Sequence, residues 1–227
     1  MKKLLLLVFI LPKLLTAQET KKVTEKHKDP DYKEVYYVLK SDKSIKQGNY
    51  QKYNSQNKLR INGFYKNGVK DSVWEFYDYF GKLDQKFNYT TRELIFNQDD
   101  LTKNNKYKVI NATDTIETVL DRPPVYIGGS GFINEMLSDS IKYPQDAREN
   151  LIMGTVYVLF TIDQDGNTSN FKTVSGKTPE KDSFKMGSLR AEAVRVVKLI
   201  PPNWLPGILN GKPVKVECVM PIRFVLN

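Results

Sequence analysis

The chain has 227 residues, of which 40% are hydrophobic and 11% aromatic, and its formal net charge at pH 7 is +9. This composition is sufficient for one or two folded domains and excludes a globally disordered chain. The chain has one cysteine, Cys218, and one histidine, His27. An intrachain disulfide, a cysteine-based zinc site and a multi-histidine metal site are therefore excluded, and we predict no cofactor and no metal site.

The N-terminus has the three-part pattern of a secretory signal peptide. Lys2 and Lys3 precede an apolar run over residues 4–15, and the small residue Ala17 precedes a polar stretch. The pattern predicts a signal peptide over residues 1–17. A spanning helix needs about 20 apolar residues, so export to the periplasm is favoured over retention as an uncleaved inner-membrane anchor. Residues 18–34 are lysine-rich and are predicted to form a flexible leader. No nucleic-acid partner is expected for an exported chain.

Residues 35–92 contain a repeat with a period of 24 residues. Lys46 aligns with Lys70, and Tyr50 aligns with Trp74. Each unit is predicted to form a strand, a turn and a strand, with Asn67-Gly68 as a tight hairpin turn. The rows of aromatic residues either pack each hairpin on the next or form a sugar- or peptide-binding face, and packing is favoured.

These units resemble MORN-type repeats, which implies a ribbon-like sheet of stacked hairpins. The resemblance rests on three segments: Gly48-Asn49-Tyr50, Gly63-Phe64-Tyr65 and Trp74-Glu75-Phe76-Tyr77. Residues 93–121 are polar and are predicted to be a connector with one strand, at residues 106–111. Pro123-Pro124 marks the start of a second domain over residues 122–227.

The second domain is predicted to contain two helices. In the first, Ser130 is the expected N-cap and the apolar residues that share one face are Phe132, Ile133, Met136, Leu137 and Ile141. In the second, the apolar stripe consists of Leu189, Ala193, Val196, Val197 and Ile200.

Strands are predicted between and after the two helices. Residues 155–162 and 168–174 should form a hairpin, since the intervening turn lacks the spacing of a calcium loop. Residues 214–226 alternate without a break and should form the final strand. Pro221 has no backbone N–H to donate to a neighbouring strand, so its presence predicts that this strand lies at a sheet edge. Cys218 falls on the buried side, and without a partner base we predict no enzyme activity.

The same residues carry a second resemblance, to the TonB C-terminal domain in the form typical of Bacteroidetes. It covers residues 122–227. The motifs are Tyr143-Pro144-x-x-Ala147, Gly154-x-Val156-x-Val158-x-Phe160, Glu192-Ala193-x-Arg195, Trp204-x-Pro206-Gly207, Asn210-Gly211-Lys212-Pro213 and Pro221-Ile222-x-Phe224.

The resemblance implies an α+β fold, in which a small antiparallel sheet packs on two helices after the all-β hairpin-repeat region. It also implies that the domain captures an extended peptide, the TonB box, as an added strand. The residues expected to bind the partner at the edge strand are Lys215, Glu217, Val219, Pro221, Arg223 and Val225. A second expected contact comprises Ser140, Ile141, Lys142 and Tyr143.

The predicted function is that of a periplasmic TonB-like protein that binds TonB-dependent outer-membrane transporters or another extended peptide. An ExbB–ExbD-type motor is a further partner if the N-terminal segment is retained. The resemblance implies that a force-transmitting TonB has a histidine within its inner-membrane helix and a long proline-rich spacer. This sequence departs from both features, since His27 lies outside the apolar run and no proline occurs between Asp31 and Arg122. The alternative is an envelope scaffold without a role in transport.

Overall fold

The computed structural model describes residues 18–28, 31–99, 101, 105–174 and 186–226. The predicted signal peptide over residues 1–17 lies outside these ranges. Among the described residues, none of the helices combines the length and the apolar character needed to cross a membrane.

The first half forms one antiparallel sheet in which each strand pairs with the next along the chain. The strand–turn–strand units predicted from the repeat are confirmed. Asn67 and Gly68 have φ angles of 51° and 80°, as a two-residue hairpin turn requires. The seven strands of this sheet, called the repeat sheet below, are β1 (Thr20–Lys28), β2 (Asp31–Leu39), β3 (Lys46–Asn54), β4 (Leu59–Lys66), β5 (Val69–Tyr77), β6 (Leu83–Asn88) and β7 (Glu93–Asn97).

The expected flexible leader over residues 18–34 is wrong, because β1 pairs with β2 over its whole length, from Thr20 opposite Leu39 to Lys28 opposite Asp31. β1 is a sheet edge with polar residues on both faces. It therefore lacks the apolar alternation by which a half-buried strand is recognised, and its lysines are typical of an edge that avoids further pairing.

The aromatic residues of the repeat form a layered core on one face of the sheet. The rings of Tyr50 and Trp74 stack with centroids 5.4 Å apart, and Tyr65 meets both rings edge-on. The repeated lysines lie over these rings: the Nζ of Lys46 is 5.1 Å from the Tyr50 centroid, and that of Lys70 is 4.6 Å from the Trp74 centroid. Trp74 is only 1% exposed, which supports the packing interpretation. Membership of the MORN type stays a prediction.

The second half forms a five-stranded antiparallel sheet with helices against it, in agreement with the expected α+β class. Its strands, in spatial order, are β12 (Thr168–Val174), β11 (Gly154–Ile162), β16 (Val216–Phe224), β8 (Lys106–Ile110) and β9 (Thr115–Val119). Two short pairs complete the domain: β10 (Val125–Tyr126) with β13 (Trp204–Leu205), and β14 (Gly207–Leu209) with β15 (Lys212–Val214). The helices are α1 (Ser130–Ser140), α2 (Gln145–Glu149) and α3 (Gly187–Lys198).

The predicted connector over residues 93–121 is divided between the two sheets. β7 completes the repeat sheet, whereas β8 and β9 join the C-terminal sheet. The strand predicted at residues 106–111 is confirmed as β8, but β7 and β9 were missed. β9 is a polar edge strand of five residues, too short and too exposed for a clear alternation.

α1 begins differently from the prediction. Its N-cap is Gly129, with a φ of 82° and no side-chain cap, instead of Ser130. The carboxylate of Asp84 on β6 accepts the N–H of Gly131 at 2.9 Å and thereby supplies the missing cap from the repeat sheet. Ile141 follows the last turn of α1 as its C-cap, although its side chain still packs against the C-terminal core.

The two halves share a buried interface beside this cap. Gln85 is fully buried, and its side-chain amide donates to the Tyr126 carbonyl at 2.9 Å and accepts the Gly128 N–H at 2.8 Å. Arg60 on β4 forms an ion pair with Glu135 on α1. Three apolar residues of the second half complete the core of the repeat sheet: Val125, Ile127 and Leu205.

Candidate functional site: the free edge of β16

β16 has a strand partner along one side and only at its start along the other. β11 pairs with it throughout, from Val216 to Phe224. On the opposite side, β8 pairs only at Val216 and Glu217, and the N–H of Ile110 donates to the Lys215 carbonyl at 2.9 Å. Within the described residues, no strand covers that side from Cys218 to Phe224. We call this stretch the free edge.

The direction of the backbone groups follows from the Lys215 contact. The N–H and C=O of one strand residue point to the same side, and the side alternates along the strand. The backbone groups of every second residue after Lys215 therefore point to the same side of the strand as those of Lys215, away from β11. These residues are Glu217, Val219, Pro221 and Arg223. The free edge thus offers the N–H groups of Val219 and Arg223, and the carbonyls of Val219, Pro221 and Arg223.

Pro221 fits this geometry, because its missing N–H lies on the side where no ladder bond is formed. The prediction of an edge from this proline is confirmed from Cys218 onwards. It is wrong at Lys215 and Glu217, where β8 already occupies the edge. Val225 follows the end of β16 and is 50% exposed.

A cleft of about 530 Å³ lies at the point where β8 separates from β16. Met220 and Val219 of the free edge line it together with Lys106 of β8 and Trp204. The Nε1 atom of Trp204 is buried and has no hydrogen-bond partner among the described residues. The cleft therefore combines apolar and charged side chains beside the unpaired backbone groups of the described part of β16.

Cys218 also lines this cleft, and it packs partly buried against the C-terminal core, as predicted. Burial raises the pKa of its thiol to about 12, so the thiol stays protonated at neutral pH. A protonated thiol is a poor nucleophile, so the residue serves as a small apolar core side chain.

The second expected contact, residues 140–143, is already held inside the domain. The Ser140 carbonyl accepts a hydrogen bond from Arg195 at 2.7 Å, and the Lys142 N–H donates to Glu192 at 2.6 Å. The Tyr143 hydroxyl donates to the Ile152 carbonyl at 2.6 Å. These backbone groups are therefore less available to a partner than those of the free edge, and a role for Ser140, Ile141, Lys142 and Tyr143 in binding stays a prediction.

Glu192 organises this segment, although it lies outside the apolar stripe of its helix. Both of its carboxylate oxygens accept from the Arg195 guanidinium at 2.7 Å, and one also accepts the Lys142 N–H. The hydrogen bonds from Arg195 lower the pKa of the Glu192 carboxyl. The spacing of Glu192 and Arg195 is the only signal in the sequence that could have indicated this pair.

Residues 139–226 match the family model described as Gram-negative bacterial TonB protein C-terminal. The matched region runs from the end of α1 through β16 and therefore contains the free edge. A comparison with curated proteins and one with solved structures each gave no match.

The TonB C-terminal match indicates a TonB-like role in envelope transport. Interaction with TonB-dependent outer-membrane receptors is a property of that family. The family is associated with transport across the cell envelope and is not a family of enzymes.

Proposed function

We propose that the chain is a periplasmic TonB-like protein that captures an extended segment of an outer-membrane transporter, the TonB box, as a strand added to the free edge. The observation that carries this proposal is the row of unpaired backbone groups at Val219, Pro221 and Arg223. Such a row is a template for strand addition. The row lies within the region that matches the TonB C-terminal family.

The geometry separates affinity from selectivity. Backbone hydrogen bonds along the free edge supply affinity for extended segments of many sequences. Alternate side chains of an added strand point to opposite faces, so those on one face would reach the cleft beside Trp204. We expect selectivity for segments that place a large side chain there, where it would pack against Met220 and Trp204.

The test is a titration of the full chain with a synthetic TonB-box peptide, followed by backbone amide NMR. The amide signals of Val219 and Arg223 should shift most, because their N–H groups would become hydrogen-bonded. Val219→Pro removes one of these donors without removing a bond to β11. We expect it to weaken binding about tenfold, since the lost hydrogen bond and the added ring act together.

Val219→Thr is the matched control, because it keeps the β-branched shape and the N–H and should bind the peptide as the wild type does. Equal binding by the Val219→Pro chain would contradict addition at this edge. If millimolar peptide does not bind, the envelope scaffold becomes the better explanation.

The compartment is tested separately, by measuring the intact mass of the protein recovered from fractionated cells. A soluble periplasmic species that begins at Gln18 is the expected result. A membrane-bound species that begins at Met1 would contradict export by a cleaved signal peptide and would make an ExbB–ExbD-type motor a candidate partner.

A further inference from the structure

Three potential metal ligands meet at the outer end of the repeat sheet. Glu25 lies directly opposite Glu34 across the β1–β2 ladder, and His27 is two residues further along β1 on the same face as Glu25. The Nε2 atom of His27 is 3.9 Å from the Oε2 atoms of both glutamates. The three ligand atoms all lie within 4.8 Å of one another.

We propose that Glu25, His27 and Glu34 form a site for a divalent transition-metal ion, with zinc as the ion that suits imidazole and carboxylate ligands. Ligand atoms around a tetrahedral zinc are about 3.3–3.6 Å apart, given bonds of about 2.0–2.2 Å. The two separations from His27 Nε2, each 3.9 Å, therefore need to close by about 0.5 Å, whereas the two carboxylate oxygens, which lie within 4.8 Å of each other, can need a larger side-chain adjustment. Three protein ligands would leave the fourth position to water.

The two carboxylates are held in place by neighbouring tyrosines. The Tyr36 hydroxyl donates to Oε1 of Glu25 at 2.7 Å, and the Tyr50 hydroxyl donates to Oε1 of Glu34 at 2.5 Å. Each tyrosine thus occupies one oxygen and leaves Oε2 directed towards His27. Hydrogen bonds of this kind orient the ligands in metal sites and tune their basicity.

The imidazole of His27 is held by an aromatic ring that stacks on its face. Its ring stacks on Tyr32 with centroids 4.1 Å apart and an interplanar angle of 16°. Its Nε2 atom is buried and has no hydrogen-bond partner among the described residues. A buried nitrogen without a partner is costly, and coordination to a cation would relieve that cost.

The charges around the cluster also favour a cation. Two glutamates directly opposite each other on one face of a sheet repel. Lys52 is the cross-strand neighbour of Glu34 on β3, but its ammonium lies over the Tyr32 ring, 3.9 Å from the centroid. Among the described residues, Lys52 forms no ion pair with Glu34, so the carboxylates lack a direct countercharge from that side.

The test uses the full chain, purified without a histidine tag and treated with a chelator, and titrated with zinc chloride by calorimetry. We expect one ion per chain. His27→Gln should weaken binding at least a hundredfold, and Tyr50→Phe about 10- to 100-fold through the loss of ligand orientation. Glu93→Gln, an exposed glutamate on β7 of the same sheet, is the matched control and should leave binding unchanged.

Cobalt(II) supplies an independent readout, since it gives visible absorption bands when bound in a low-coordinate site. These bands should appear with the wild type and disappear with His27→Gln. If His27→Gln does not fold, Glu25→Gln replaces it, because the Glu25 side chain is 47% exposed and its loss leaves the core intact. The absence of binding to the wild type, or binding by these variants within twofold of the wild type, would overturn the proposal.

Discussion

At the scale of single residues, the Glu192–Arg195 pair joins three parts of the C-terminal domain: Glu192 accepts the N–H of Lys142 before α2, and Arg195 of the same helix α3 donates to the Ser140 carbonyl at the end of α1. Glu192→Gln keeps the shape but loses the charge that attracts Arg195. We expect the free energy of unfolding to fall by about 1.5–3 kcal/mol at pH 7, the usual range for hydrogen bonds to charged groups. Urea denaturation measures this, with the exposed Glu149→Gln as control.

The same carboxyl makes stability depend on pH. Its pKa in the folded chain is below the ordinary glutamate value of 4.5, so its contribution is complete above that value and is lost as the pH falls through the folded pKa. The stability difference between the wild type and Glu192→Gln should therefore shrink in acid. A difference that is constant from pH 7 to pH 3 would contradict this assignment.

Gly63 shows how tightly the aromatic layer is packed. A Cβ atom added there would overlap the ring of Trp74. Because that ring is enclosed by other aromatics, we expect Gly63→Ala to lower the free energy of unfolding by about 3 kcal/mol, measured by thermal denaturation. Gly187, at the start of α3, is the control. A Cβ atom added there would meet no atom within 4 Å, so Gly187→Ala should be neutral or slightly stabilising.

At the scale of elements, prediction succeeded where one face of a strand or helix is buried. β12 occupies the predicted residues 168–174, and the α3 stripe from Leu189 to Ile200 is buried as expected. β1 and β9 were missed because polar edge strands carry no apolar alternation. Local pattern identifies an element through its core-facing residues, and edge strands have few of them.

The candidate site was predictable in part for a similar reason. Pro221 indicated an edge because its effect on a ladder is local. The limit of that edge at Glu217 is set by β8, which is more than 100 residues earlier in the chain. The same holds for the cluster on β1 and β2. No pattern in the sequence around Glu25 indicates that the hydroxyls of Tyr36 and Tyr50 orient the carboxylates of Glu25 and Glu34 towards His27. These features depend on pairing between strands that are distant in sequence.

At the scale of the whole molecule, the Gln85 amide couples the two halves. Gln85→Leu would leave the Tyr126 carbonyl and the Gly128 N–H buried without partners, at a cost of roughly 2–4 kcal/mol. We expect chemical unfolding, followed by far-ultraviolet circular dichroism, to show two transitions where the wild type shows one. Gln56→Leu, at an exposed turn, is the control. A single transition at the wild-type midpoint would contradict this coupling.

The early departure of β8 from β16 sets a boundary for any added strand. The stretch from Cys218 to Phe224 is about 20 Å long at about 3.3 Å per residue. A guest segment that extends past Cys218 would meet β8, already bonded at Glu217. β8 therefore acts as a stop that fixes how far the guest can slide. Because a slip of one residue exchanges the two faces of a strand, this stop would also select which guest side chains reach the Trp204 cleft.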